Sequence, residues 1–316
     1  MCSEQVGRII SAADVSASFR DALKEKINRK QYDVKLVGYL ANNDPSAEKY
    51  AEVTARSCRE VGINFELRRI NREHLEDTLL AANEDDDIHG IMVYYPIFGG
   101  GHDQYLQNCV SPYKDVEGLC HTYRFNMYHN IRSLDKANTL KCIIPCTPLA
   151  IIKILEYMEV YDREKPYGNQ LFGRTITIIN RSEVVGRPLA ALLANDGAKI
   201  YSVDVKDTLE FKKDINKQKH VVADCDLKLA DVLPLSDVVI SGVPSKEYKI
   251  STESLKPGVV AINFSSFKNF EDNIADKAAM YCSAIGKVTV AMLQRNLLRL
   301  REYQMKNPYL PELKFY

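Results

Sequence analysis

The sequence predicts an α/β protein built as two domains around mainly parallel sheets, and two observations lead there. From Val34 short apolar runs alternate with longer amphipathic ones, and a second series of the same kind starts at Thr175. The length of 316 residues allows a second core, and 46% hydrophobic with 27% charged residues is an ordinary globular composition.

In the first series Val34–Leu40 reads as a strand, Ala47–Glu60 as a helix and Asn64–Ile70 as a strand. A helix near Glu73–Asn83 and a strand at Gly90–Tyr95 complete βαβαβ, with the acidic run Glu84–Asp87 as a solvated turn. Thr147–Val160 reads as a helix after Pro145, and Asp162–Gln170 as a polar connector. In the second series Thr175–Asn180 is a strand, Pro188–Asn195 a helix with proline in its first turn, and Ala198–Asp204 the next strand. Asp237–Val243 and Gly258–Phe264 read as further buried strands, and the basic segment Lys212–His220 as a surface excursion. Thr289–Arg301 is helical, with Val290, Leu293, Leu297 and Leu300 on one stripe that must pack on something.

Lys plus Arg equals Asp plus Glu at 42 each, so the basic footprint of a nucleic-acid binder is missing. No stretch has the length of a secretory or membrane-spanning run, so a soluble cytoplasmic protein with no membrane partner is expected. The eight cysteines are scattered without zinc spacing, and the expectation is free buried thiols and no metal site.

The segment Ile176–Pro188 runs from a strand through a tight loop into a helix, whose amino terminus suits a pyrophosphate. Gly186 would admit the backbone to close approach, although Asn180, Ser182 and Val185 depart from G-x-G-x-x-G, and a plain structural turn is the competing reading. Asp204 ends the next strand, about 20 residues on, where a dinucleotide fold puts the carboxylate that binds the adenosine ribose. A carboxylate there repels a 2′-phosphate, so NAD rather than NADP is expected as cofactor, with Lys206 and Arg181 as nearby cations that can oppose that preference.

Asn180-Arg-Ser-Glu-Val-Val-Gly-Arg-Pro188, Pro145-Cys-Thr-Pro148, Lys114-Asp-Val-Glu-Gly118, Ser236-Asp-Val-Val-Ile-Ser241 and Thr289-Val-Ala-Met-Leu293 stand in the order of the corresponding motifs of one family. The chain resembles the methylenetetrahydrofolate dehydrogenase/cyclohydrolase family, closest to its monofunctional NAD-dependent members. The resemblance implies an amino-terminal α/β catalytic domain (1–146, joined by a carboxyl-terminal helix 289–316), a Rossmann-type NAD-binding domain (147–288), a folate cleft between them and a homodimer. Arg181, Ser182, Val185, Gly186, Arg187, Pro188, Asp204, Val243 and Pro244 are then the cofactor-binding residues. Tyr50, Tyr94, Pro96, Asp115, Glu117, Cys146, Thr147 and Thr289 fall where the family binds a tetrahydrofolate substrate, with or without a polyglutamate tail. Tyr50, Thr54, Asp115 and Glu117 fall on its catalytic positions.

The departures bear on chemistry. The family's Tyr-x-x-x-Lys falls at Tyr50-Ala-Glu-Val-Thr54, keeping the ring that stacks on the pterin and replacing the lysine by Thr54. Tyr94 replaces the lysine's glutamine partner, Glu117 replaces an aspartate, and the family's Gly-Gly-Val-Gly-Pro-Met-Thr is shortened to Ala284-Ile-Gly-Lys-Val-Thr289. Hydride loss from a methylene bridge needs no side-chain proton transfer, whereas hydrolysis of the methenyl product does. The resemblance therefore implies an NAD-dependent 5,10-methylenetetrahydrofolate dehydrogenase without cyclohydrolase. The alternatives are a bifunctional enzyme, a silent folate- or nucleotide-binding protein, and a shikimate-dehydrogenase-like oxidoreductase using NADP.

Overall fold

A computed structural model describes residues 7–306; residues 1–6, with Cys2, and 307–316 of the expected carboxyl-terminal segment lie outside the described residues. The chain opens with strand β1 (Arg8–Ser11) and helix α1 (Ala12–Lys30), then β2 (Lys35–Leu40), α2 (Pro45–Val61), β3 (Asn64–Arg69), α3 (Leu75–Glu84), β4 (Gly90–Val93), α4 (Gly100–Cys109) and α5 (His121–Tyr128). Helix α6 (Cys146–Tyr157), β5 (Thr175–Ile179), α7 (Gly186–Asn195), β6 (Lys199–Val203), β7 (Thr208–Asp214), β8 (Lys219–Cys225) and the single turn α8 (Leu229–Val232) follow. Strands β9 (Val238–Ser241), β10 (Val260–Asn263) and β11 (Met280–Ser283) and helix α9 (Gly286–Lys306) complete it. Among the described residues no helix is long and apolar enough to cross a membrane.

The chain divides into two compact units. The first comprises residues 17–126, 131–146 and 290–306, around the parallel sheet β3-β2-β4. Strand β2 is buried on both faces because it is central: Leu36 and Leu40 enter one core with Ala51, Met92 and Val116, while Val37 and Tyr39 enter the other with Leu79, Ile91 and Leu106. Helix α2 starts where Asp44 accepts a hydrogen bond from the Ser46 amide (2.9 Å) and Pro45 presets the first turn. Its buried residues Ala47, Ala51, Thr54, Cys58 and Val61 form one stripe. Leu293, Leu297, Leu298 and Leu300 of α9 lie in the core of Leu36, which is what the apolar stripe of that helix packs on.

The second unit comprises residues 7–16, 127–130 and 147–289, around an eight-stranded sheet ordered β1-β11-β10-β9-β5-β6-β7-β8. Strands β1, β11, β10, β9, β5 and β6 run parallel, while β7 and β8 are antiparallel. Two expectations change here. Assigning all of 1–146 to the first domain fails for residues 7–16, because β1 pairs in register with β11, Arg8 opposite Met280 and Ser11 opposite Ser283, and for residues 127–130, which also belong to the second unit. Lys212–His220 is not a mere excursion but the turn and flanks of the β7–β8 hairpin that extends the sheet beyond β6.

Candidate active site

In the first unit, Tyr50 sits on α2 at the edge of the buried stripe and meets Tyr94 edge to face, ring centroids 6.0 Å apart at 80°. Thr54, one turn on, is fully buried, and its hydroxyl donates to the Tyr50 carbonyl at 2.9 Å. Tyr94 is also buried; its Oη stands beside Thr54 without a partner at hydrogen-bond geometry. Burial pushes both tyrosine hydroxyls above their usual range, so neither is an acid–base group near neutrality. The Asn42 amide donates to the Tyr94 and Pro96 carbonyls (2.7 and 2.9 Å) and so fixes the segment after β4, a role the sequence reading missed.

The two carboxylates of the 114–118 motif have different duties. Asp115 is buried and accepts from the amides of Glu117 (3.1 Å), Gly118 (2.9 Å) and Cys120 (2.8 Å), so both its oxygens are committed to shaping the loop. Glu117 accepts from the Val93 amide (2.9 Å) through Oε2 alone. Burial, with the Asp115 charge adding to it, pushes the Glu117 carboxyl up to about 8. Of the pair, Glu117 is the one equipped to anchor a ligand. Cys146 is buried with Sγ 3.3 Å from the Val116 carbonyl, and burial raises its thiol, which suits packing rather than nucleophilic work. Thr147 and Thr289 belong to the second unit, where Thr289 is buried and bonds back to Ile285 (3.1 and 3.5 Å).

In the second unit a cavity of about 900 Å³ opens beyond the carboxyl ends of β5, β6 and β9, where the strand order reverses. That is where open α/β sheets bind nucleotides. Arg181, Ser182, Asp204, Val243 and Pro244 line it; Val185, Gly186, Arg187 and Pro188 are not among its lining residues. Gly186 has a packing reason to be glycine, since a Cβ there would lie 2.0 Å from the Asn180 carbonyl oxygen. Asn180, which replaces a family glycine, organises the loop: its Oδ1 accepts from Ser182 N (3.0 Å) and Oγ (2.7 Å), and its Nδ2 donates to Gly242 O (2.9 Å). Ser182 Oγ in turn accepts from the Val185 and Gly186 amides at the start of α7 (3.2 and 3.3 Å).

Asp204 is exposed at the end of β6 with Oδ1 accepting from the Val205 amide (2.9 Å), which leaves its other oxygen able to accept from a ligand hydroxyl. Arg181 is no longer a candidate for a 2′-phosphate, because its guanidinium is tied to Ser202 Oγ (3.3 Å), Ser202 O (2.6 Å), Asp207 O (2.9 Å) and the Asp207 carboxylate. The cavity's size and position fit a dinucleotide, with the exposed Asp204 carboxylate set against a 2′-phosphate and Lys206, which also lines the cavity, as the cation that opposes that preference. Leu227, Lys228 and Tyr248 also line it and were missed, since they follow the hairpin and β9 rather than the glycine loop.

The fold and the two constellations define a dinucleotide-type α/β enzyme class whose first unit gathers an aromatic pair, Tyr50 and Tyr94, and two carboxylates, Asp115 and Glu117. Residues 10–117 match the tetrahydrofolate dehydrogenase/cyclohydrolase catalytic domain, and residues 145–305 the NAD(P)-binding domain of the same family. The methylenetetrahydrofolate dehydrogenase [NAD(+)] of Schizosaccharomyces pombe is 53% identical over 304 residues, 95% of either chain. That of Saccharomyces cerevisiae is 49% identical over 93% of this chain and 96% of its own. The solved structure of the S. cerevisiae NAD-dependent 5,10-methylenetetrahydrofolate dehydrogenase superposes with a TM-score of 0.89 at 48% identity, over 96% of this chain and 99% of that one. The chain belongs to the tetrahydrofolate dehydrogenase/cyclohydrolase family.

Proposed function

We propose that this protein oxidises 5,10-methylenetetrahydrofolate to 5,10-methenyltetrahydrofolate with NAD and does not hydrolyse the methenyl product. The dehydrogenase reading is supported by the NAD-dependent relatives at 49–53% identity. The observation that carries the absence of hydrolysis is Thr54, buried under Tyr94 with its hydroxyl donated to the Tyr50 carbonyl. Among the described residues no amine takes the lysine's place at Thr54, and the neighbouring tyrosine hydroxyls are held protonated by burial. Glu117, the one neighbour that titrates near neutrality, is assigned to the substrate's amino-pyrimidine edge rather than to proton transfer. Bound NAD supplies the hydride acceptor. The chain's own residues hold the substrate: Tyr50 offers a stacking face, Glu117 an acceptor for the amino-pyrimidine edge, and Asp115 keeps Glu117's loop in shape. As the bridge carbon loses hydride, its two flanking nitrogens donate their lone pairs, so the step needs orientation and no relay. Hydrolysis needs water added and protons moved, and general acid–base help there is worth about 10²–10⁴-fold.

The first unit, with its α9 segment, is assigned to folate and the second to NAD through Arg181, Ser182, Asp204, Val243 and Pro244, with Val185, Gly186, Arg187 and Pro188 shaping the loop. Folates with one or several glutamates fall within the proposed substrate class. A homodimer is inferred from the family resemblance, which sedimentation would measure. A cytoplasmic setting is supported by the seven described cysteines, all free thiols.

The test is absorbance of methenyltetrahydrofolate, followed as it forms with NAD or NADP and, separately, as it decays without either. It should accumulate with NAD and decay no faster than in buffer; decay well above buffer would overturn the monofunctional reading. In the same assay Asp204→Ser should narrow the preference for NAD over NADP by about tenfold, since like charges near 4 Å cost roughly 1–4 kcal/mol between water and a protein surface. An unmoved NAD:NADP ratio of kcat/KM would remove Asp204 from the ribose site.

A further inference from the structure

Asn296 is a fully buried amide on α9, flanked by the apolar stripe of Leu293, Leu297 and Leu300. A polar side chain in such a place needs a reason. Its Nδ2 donates to the carbonyls of Val116 (2.9 Å) and Ile144 (3.1 Å) and lies 3.6 Å from Cys146 Sγ, while its Oδ1 has no partner. The position therefore uses the amide as a donor only. The two carbonyls come from separate segments, Val116 from the centre of the loop that Asp115 gathers and Ile144 from the residue before Pro145. The carbonyl of Val116 belongs to the same peptide plane as the Glu117 amide, so fixing that oxygen fixes the plane from which the Glu117 side chain departs. There is little slack between the segments: Gly118, at φ +69°, would bring a Cβ to 3.0 Å from the Ile144 carbonyl carbon and the Pro145 nitrogen.

We propose that Asn296 is a positioning residue for folate oxidation, clamping the Glu117 loop to the Ile144–Cys146 segment so that the free oxygen of Glu117 meets the substrate in one orientation. The inference rests on Glu117 being the substrate anchor. It differs from a general packing role in being the helix's bond to the Val116 carbonyl within the loop; Gln304 Nε2 reaches only the Tyr113 carbonyl before it (2.8 Å), and Tyr303 Oη bonds the Lys141 carbonyl (3.0 Å), away from it.

Four variants separate the possibilities: Asn296→Leu, which keeps the shape and removes the donor, Asn296→Ser, Tyr303→Phe and Glu117→Gln. Each is measured for melting temperature, KM for 5,10-methylenetetrahydrofolate, kcat, and the NAD dissociation constant. Asn296→Leu should raise the folate KM about tenfold with a smaller fall in kcat and an unchanged NAD constant. Tyr303→Phe should lower the melting temperature and leave both constants alone. Should the leucine variant not fold, the smaller Asn296→Ser gives the same readout, with a rise in folate KM expected. If Glu117→Gln raises the folate KM and the Asn296 variants do not, the clamp is wrong while the anchor stands. If Glu117→Gln itself leaves the folate KM unchanged, the anchor reading fails and the clamp with it.

Discussion

Glu117→Gln is expected to lower kcat/KM for 5,10-methylenetetrahydrofolate by about a hundredfold with no change in NAD affinity. The carboxylate has one oxygen on the Val93 amide and offers the rest of its acceptor capacity to a ligand. A glutamine that keeps its carbonyl on Val93 turns an NH₂ toward the pterin's own N–H donors, so an attraction becomes a donor–donor clash. Hydrogen bonds to charged groups are worth about 1.5–3 kcal/mol each, which is one to two decades in rate. The pH dependence gives a second, independent reading. Burial raises the Glu117 carboxyl to about 8, so in the free protein at pH 7 it is mostly protonated, whereas the pterin edge is held best by the ionised form. Binding must then release a proton, and kcat/KM for folate should climb about tenfold per pH unit up to roughly 8 and flatten beyond it. Asp115, Cys146, Tyr50 and Tyr94, which face the same space, are all raised by burial, and Asp115 is additionally committed to three amides. The stability linkage has a definite sign. An acid raised on folding contributes stability that is fully present below its unfolded value and lost as pH rises through about 8, so the wild type should lose stability relative to Glu117→Gln across that window. A wild-type kcat/KM that is flat between pH 6 and 8 (roughly the limb's span) would refute the anchor.

The βα rhythm was legible because buried parallel strands write themselves as continuous apolar runs, as β2, β5, β9 and β10 do. Strands β7 and β8 were not, because they lie at one edge of the sheet and bury little, β7 only Thr208 and Phe211 and β8 no residue at all. The four residues of β1 carry one buried side chain, Ile10, too little for a periodic signal. Within the candidate site, the sequence put Tyr50 on a helix and Asp204 at a strand end, as the structure does, but side-chain duty is a tertiary property. Nothing in Asp-Val-Glu says that the first acid turns back onto its own loop while the second reaches the Val93 amide. Arg181 next to the nucleotide loop looked like a phosphate ligand until its partners on β6 and Asp207 were visible. Asn296 carries a sequence signal of its own: an asparagine directly before Leu297, inside an apolar stripe, is a polar residue that needs a partner.

Tyr50→Ala should lower kcat/KM for the folate by ten- to a hundredfold while leaving NAD binding and most of the stability intact. Tyr50 is only partly buried, at the rim of the α2 stripe, so its ring is not chiefly a core filler as Ala51 and Thr54 are. Its principal ring neighbour is Tyr94, packed edge-on, which leaves a face of Tyr50 for a planar ligand. Aromatic stacking on a heterocycle is worth about 1–3 kcal/mol, and this sets the expected size of the loss. Tyr50→Phe separates the ring from the hydroxyl. Because burial holds that hydroxyl protonated, it has no acid–base duty in hydride loss, and the phenylalanine variant should turn over close to wild type. A large fall in Tyr50→Phe would assign the hydroxyl a role that the proposed mechanism lacks. An unchanged kcat/KM in Tyr50→Ala, with a lowered melting temperature, would instead make Tyr50 a support for Tyr94 and put the pterin on some other surface of the first unit.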